Sequence, residues 1–221
     1  MSVQSDIQTT PVGSRPAGGS AGRVWLIVML LLSLGVGLYG LSYLTGRPAP
    51  PGPAHNGAGM GWLVPHALSA GLALLLGPWQ FLASVRARRP GLHRLIGRSY
   101  LTVCLVGGVT GLVLALNASS GDLARAGFGA LAVVWLGANA MGYSAALRRD
   151  FTSHRRWMIR SFALTFAAVT LRLYLPISFV PGFSFAVAYP IISWVAWVPN
   201  LIVAEIWLRA RANPATLAGG V

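Results

Sequence analysis

Six long apolar stretches alternate with short polar connections along this chain: Val24 to Thr45, Gly61 to Val85, Gly97 to Leu116, Ala126 to Leu147, Ile159 to Val180 and Phe185 to Leu208. Each is close to the ~20 residues that cross a bilayer as a helix. The pattern predicts an all-α fold, an integral membrane bundle of six transmembrane helices.

The polar positions within the stretches predict how the helices pack. At about 100° per residue, a position returns to the same helix face after about seven, eleven or eighteen residues. His66, Ala70, Ala73, Gly77, Gln80 and Ser84 align on the second span, and His93, Gly97, Tyr100, Cys104, Gly107 and Gly111 on the third. The fourth aligns Ala132, Trp135, Asn139, Tyr143 and Ala146, and the fifth His154, Ser161, Thr165, Ala168 and Arg172. Small and polar residues on one face, with Leu, Val and Phe on the other, turn that face into the protein. Spans two to five are therefore expected to form a four-helix core. The first span, whose polar residues are only hydroxyls, is expected to be peripheral.

Charge orients the bundle. All seventeen basic residues are arginine, and threading the spans in order puts all of them except Arg47, Arg125 and Arg172 on one side. Five lie from Arg86 to Arg98 and five from Arg148 to Arg160. By the positive-inside tendency that side is cytoplasmic, as are both termini. The net charge of +13, with only four acids in 221 residues, faces an anionic inner leaflet, which leaves no nucleic-acid role. A lone cysteine, Cys104, excludes an internal disulfide or a CxxC motif. Residues 1–22 read as a disordered cytoplasmic tail, 23–209 as the transmembrane domain and 210–221 as a short cytoplasmic tail. The first span is long for a signal-peptide core and is expected to stay as an anchor. The proline-rich segment from Gly46 to Gly61 reads as a loop with a solvated His55.

Depth decides which charged groups can meet. Spans five and six are antiparallel, so Arg172, about 20 Å from the inner boundary at about 1.5 Å per residue, is level with Trp194. Glu205 is level with Arg160, and an Arg160–Glu205 salt bridge is expected. Arg172 then has no carboxylate at its depth. His66 and carbonyls freed near Pro190 are its candidate neighbours, and an inward-facing arginine without a carboxylate suits an anionic ligand or water. At the inner ends, His93 and His154 open the third and fifth spans. Two imidazoles from alternate helices could ligate a haem iron, with Arg94, Arg155 or Arg156 for its propionates. Alternatively His93 and His154 with Glu205 or Asp150 could form a two-histidine, one-carboxylate site for a non-haem metal. As interfacial residues they could also simply bond backbone or lipid phosphate.

Four runs carry a resemblance: PHALSAGLALLLGPWQF from Pro65, GLHRLIGRSYL from Gly91, HRRWMIRSFALTFAAVTLRLYLP from His154 and WVPNLIVAEIW from Trp197. They resemble a bacterial family of small multi-pass membrane proteins known as domain of unknown function twenty-three-oh-six. The resemblance implies a bacterial cytoplasmic (inner) membrane protein with no established activity. Matched residue by residue, it points to His66, Gln80, His93, Arg98, His154, Trp157, Arg160, Arg172, Asn200 and Glu205. The layout is more distantly similar to the ascorbate-reducible cytochrome b family, whose four central helices clasp two haems between histidine pairs. Here His66 lacks a histidine partner on the fourth span, where Asn139 is the obvious polar residue, so that resemblance implies at most one haem, between His93 and His154.

Three functions stay open. One is a membrane redox protein holding a single b-type haem. Another is a membrane-embedded enzyme or carrier for a lipophilic, isoprenoid-like or quinone-like anion, with Arg172 on the charge and His66 or Glu205 handling protons. The absence of an aspartate-rich metal–pyrophosphate motif disfavours prenyl-diphosphate chemistry. The third is a non-catalytic accessory subunit whose inward residues hold helices together. Besides the lipid bilayer, a lipophilic small molecule is the partner these readings imply. The candidate residues for ligand or proton handling are His66, Gln80, Arg160, Arg172, Asn200 and Glu205.

Overall fold

The structure, a computed structural model, describes residues 20–45 and 59–212. The tails and the proline-rich segment with His55 lie outside the described residues. The described residues form α1 (Ser20–Leu41), α2 (Met60–Leu76), α3 (Ala83–Arg88), α4 (Pro90–Leu116), α5 (Asp122–Leu147), α6 (Phe151–Thr165), α7 (Ala167–Phe179), α8 (Phe185–Val195) and α9 (Val198–Ala212), with no strand among them. Among the described residues six segments are long and apolar enough to span a bilayer: Ile27–Thr45, Met60–Phe81, Pro90–Leu116, Asp122–Leu147, Phe151–Phe179 and Phe185–Ala212.

The helical boundaries differ from the apolar ones for identifiable reasons. The third and fifth helices begin at Pro90 and Phe151, well before their apolar stretches, because apolarity marks the bilayer rather than the helix end. Pro90 suits the first turn of a helix, where its missing N–H has no intrahelical partner. Asp150 caps α6 by accepting from the Ser153 N–H at 3.0 Å. This bond is the main reason its exposed carboxyl titrates below the usual aspartate range. The α5–α6 connection is a tight left-handed turn at Arg149, φ 59°. The Arg149 and Asp150 amides return to the carbonyls of Ala146 and Ala145 and close the helix end. The second span tightens into a 3-10 turn over Gly77–Phe81, where Pro78 brings no N–H.

The four core helices form a ring: α2 on α4, α4 on α5, α5 on α6, and α6 back on α2. Helices α4 and α6 thus face each other across the diagonal. Outside the ring, α1 packs on α2 and reaches α7, α8 lies against α5 and α7, and α9 lies against α6. At the α1–α2 crossing a Cβ on Gly40 would sit 2.7 Å from the Ala67 carbonyl oxygen, and one on Gly71 2.8 Å from that of Gly37. Only glycine lets the two backbones approach this closely.

The diagonal is bridged at mid-bundle by a buried polar network. Tyr100 on α4 has its hydroxyl 2.9 Å from Ser161 Oγ and 2.8 Å from Thr165 Oγ1 on the fifth span. Trp135 Nε1 donates to Thr165 Oγ1 at 3.0 Å, Ser161 Oγ donates to Asn139 Oδ1 at 2.8 Å, and Asn139 Nδ2 donates to the Trp135 carbonyl at 2.8 Å. Ala73, Cys104, Ala138, Met158 and Trp197 pack around it. The expected inward faces hold, with two departures. Ser84 lies beyond the end of the second span and is exposed, and Tyr143 points outward, leaving the buried position to Gly142.

Two spans are broken. The fifth breaks at Phe166, between α6 and α7. The sixth breaks at Ala196 and Trp197, where Pro199, in the first turn of α9, has no N–H to return to Val195. The Ala196 carbonyl, at the break itself, accepts from Thr170 Oγ1 and, at 3.0 Å, from Asn200 Nδ2. Hydrocarbon offers no substitute partner, so a break at this depth needs such side chains.

Removing one hydroxyl from the mid-bundle network should be felt globally. Tyr100→Phe is expected to lower stability by about 1–2 kcal/mol without loss of helix. Thermal denaturation in detergent, followed by circular dichroism, measures this; an unchanged midpoint would mean that the network adds nothing to stability.

Candidate functional site

A cavity of about 280 Å³ opens in the half of the bundle remote from the arginine-rich connections, bounded by α2, α4, α5, α7 and α8. Its wall is mostly apolar, with His66, Thr165, Arg172 and Tyr189 as the polar side chains besides Trp135. Thr165 and Trp135 are already bonded to each other in the mid-bundle network. The chemistry of the cavity therefore rests on His66, Arg172 and Tyr189.

His66 is held in one orientation. Its Nδ1 is 2.9 Å from the Gly107 carbonyl oxygen, to which it donates. Its ring lies against Gly111, where a Cβ would come within 2.9 Å of Cε1 and 3.0 Å of Nδ1, but 4.0 Å of Nε2. The Nδ1–Cε1 edge is thus clamped to α4 and Nε2 turns away from it. In the neutral ring this fixes the tautomer, leaving the Nε2 lone pair as an acceptor. The glycines of the third span thereby position the His66 side chain.

Arg172 donates from one terminal nitrogen to the Ala168 carbonyl at 2.9 Å, and its guanidinium carbon lies 5.3 Å from the Tyr39 ring centroid. Tyr43 and Tyr189 are also within its electrostatic reach, and Arg172 acts in turn on His66. Among the described residues no carboxylate faces it: Asp122 pairs with Arg125 at 3.1 Å, Asp150 caps α6, and Glu205 pairs with Arg160. A guanidinium has five N–H donors, and one intramolecular hydrogen bond leaves most of them free. An arginine inside a bilayer costs about 2.5–3.5 kcal/mol on insertion scales, so one without a carboxylate is a candidate for a functional site.

Toward the arginine-rich end, the diagonal helices bring His93 and His154 within electrostatic reach of each other. They sit seven residues before Tyr100 and Ser161 respectively, two turns along the same faces. His154 Nδ1 donates to the Gly142 carbonyl at 2.9 Å, while His93 Nδ1 is buried without a partner. Gln80, buried beside Gly97, also has an unpartnered amide nitrogen. Arg94, Arg98, Arg155 and Arg156 are exposed at this end. The two carboxylates considered with these histidines lie elsewhere, Asp150 on its own helix N-terminus and Glu205 on Arg160. No group of three or more His, Cys, Asp or Glu side chains gathers among the described residues.

The expected ion pair is present and bidentate. Arg160 donates to both oxygens of Glu205, from Nη2 at 3.0 Å and also from Nε, with its guanidinium stacked 4.6 Å from the Trp157 ring centroid. This pair ties the fifth span to α9. Asn200 joins the helix break in the sixth span rather than the cavity. Trp194, level with Arg172 by depth, instead turns to α5 and donates to the Leu123 carbonyl at 3.2 Å. The sequence reading missed Tyr39 and Tyr189. Tyr39 lies on the span expected to be peripheral, and the only signal for Tyr189 is its place one residue before Pro190.

A multi-pass helical membrane protein with a mostly apolar cavity between its spans is the class this architecture defines. The chain matches the family described as Predicted membrane protein (DUF2306) over residues 63–208, and it belongs to that family. No curated protein and no solved structure matches it.

Glu205→Gln would leave the Arg160 guanidinium facing a neutral amide. It is expected to cost about 1.5–3 kcal/mol, read as a lower thermal midpoint with unchanged helix content. A midpoint equal to that of the unaltered protein would mean that the pair is not a structural tie.

Proposed function

We propose that this protein binds a lipophilic, anionic small molecule within the membrane, in the cavity between His66 and Arg172, as a carrier or an enzyme. The observation that carries this reading is Arg172. It lines an apolar cavity, most of its donors are free, and the described carboxylates are engaged with other groups. In a medium of low dielectric an anion is the natural complement of such a charge. The volume of about 280 Å³ is just below the ~300–1,000 Å³ of drug-sized sites, which suits a single-ring head group with its tail toward lipid. By the positive-inside tendency the arginine-rich connections lie in the cytoplasm of a bacterium, and the cavity belongs to the outer half of its inner membrane.

Native mass spectrometry of protein taken from its own membranes tests this. The expected result is a bound small anion that Arg172→Gln depletes at least about tenfold, the loss of a charge-assisted contact, while the thermal midpoint is kept. An adduct retained in full by the variant, or none in either protein, would remove the reading.

A second reading has its own observation, the unpartnered Nδ1 of His93 beside His154, whose Nδ1 bond to Gly142 leaves Nε2 free for a metal. The two would hold one b-type haem, with Arg94, Arg155 or Arg156 for its propionates; when bound, the haem would supply one-electron transfer. The visible spectrum of protein purified from haem-replete cells decides it. A Soret band lost in both His93→Ala and His154→Ala but kept in Arg172→Gln supports the reading, and a colourless protein overturns it.

A further inference from the structure

Resting on the proposed anion site, we infer that its ligand is a lipophilic weak acid with the acidic hydroxyl on a ring, a phenol or enol. It enters as the neutral acid and is ionised in place by His66.

The clamped imidazole supports this. An anion alone would be served by Arg172, and a second donor would serve it better than an acceptor. His66 Nδ1 is already used on Gly107, and its Nε2 edge points away from α4 as a lone pair. A lone pair beside a free guanidinium complements a group that brings its own proton. The ligand hydroxyl donates to Nε2, and its proton passes to that nitrogen while the bonding pair stays on oxygen. The resulting oxyanion accepts from Arg172. The step creates one positive and one negative charge, needs no co-reactant and reverses on release. It also removes the cost of carrying a preformed anion through hydrocarbon. The other titratable groups facing the pair are Tyr189 from α8, with Tyr39 and Tyr43 around Arg172.

The shape of the wall favours a ring. Trp135, Phe128 and Tyr189 line the cavity, and Tyr189 packs 5.2 Å from Phe128. A flat head group can stack on these aromatic side chains, whereas a straight-chain carboxylic acid gains little from them.

A long-chain alkyl nitrophenol, coloured only as the phenolate, tests the inference on the detergent-purified full chain, with partition into empty micelles subtracted. Wild type is expected to hold the probe as phenolate down to about one pH unit or more below its midpoint in empty micelles. His66→Gln is expected to bind it still, but with most of that shift lost, and His66→Asn guards against a folding artefact. Arg172→Gln is expected to weaken binding about tenfold or more. Binding that depends on Arg172 with no downward shift in wild type, or a shift that both His66 variants keep, would overturn the inference and leave the anion site standing. Displacement by an alkyl carboxylate of the same chain length at lower concentration than by an alkyl phenol would overturn the ring-hydroxyl class. Saturable binding indifferent to Arg172, or no saturable binding, would overturn the inference and remove the support that a charge at Arg172 gives to the anion site; the endogenous adduct would then decide that site separately.

Discussion

Hydrocarbon offers no hydrogen-bond partner, so every polar group that this chain carries into the bilayer must be answered by another part of the protein. That constraint organises the bundle at three levels. The break in the sixth span is admissible because Thr170 and Asn200 bond the Ala196 carbonyl. At mid-bundle the polar residues Tyr100, Ser161, Thr165, Trp135 and Asn139 bond to one another. The charges answer one another only in part, because four acids cannot match seventeen arginines. Glu205 is committed to Arg160, which leaves Arg172 as a charge that the described protein does not neutralise.

The helical bundle was legible in the sequence because bilayer thickness imposes a length, and one-sided small or polar residues impose a face. Depth counting correctly paired Arg160 with Glu205 and separated Arg172 from both. It gives the height of a side chain and not its direction. Trp194 is level with Arg172 on paper, yet the break at Ala196 and the packing of α8 on α5 turn it to the Leu123 carbonyl. The first span lies outside the ring, as expected, but its contact with α2 is made by glycine. Gly37 and Gly40 bring its backbone against Gly71, and that approach carries Tyr39 to the Arg172 guanidinium. A tyrosine among leucines gives no periodic signal, so this contact could not be read before the packing was known.

The meaning of the glycines on the third span changed in the same way. As a stripe, Gly107 and Gly111 indicate only close helix packing. In the structure one supplies the carbonyl that orients His66 and the other the flat surface on which its ring rests. The acceptor character of Nε2 follows from those two contacts. A pattern that fixes helix distance thus also fixes a proton position, which spacing alone does not reveal.

The mid-bundle network separates two polar regions that share the same helices. Toward the arginine-rich end are His93, His154 and Gln80, with unpartnered nitrogens on His93 and Gln80; toward the opposite end are His66 and Arg172. Between them the Asn139 amide ends the hydroxyl chain at one side, with Oδ1 accepting from Ser161 and Nδ2 spent on the Trp135 carbonyl. An amide in that position cannot relay a proton onward as a hydroxyl can, so this network holds the helices together and insulates the two regions. A proton or ligand bound in either region would then have to come through that end of the bundle or through the surrounding lipid. For the Arg172 cavity, which is walled mainly by apolar side chains, a ligand that arrives neutral and carries its own proton meets that condition.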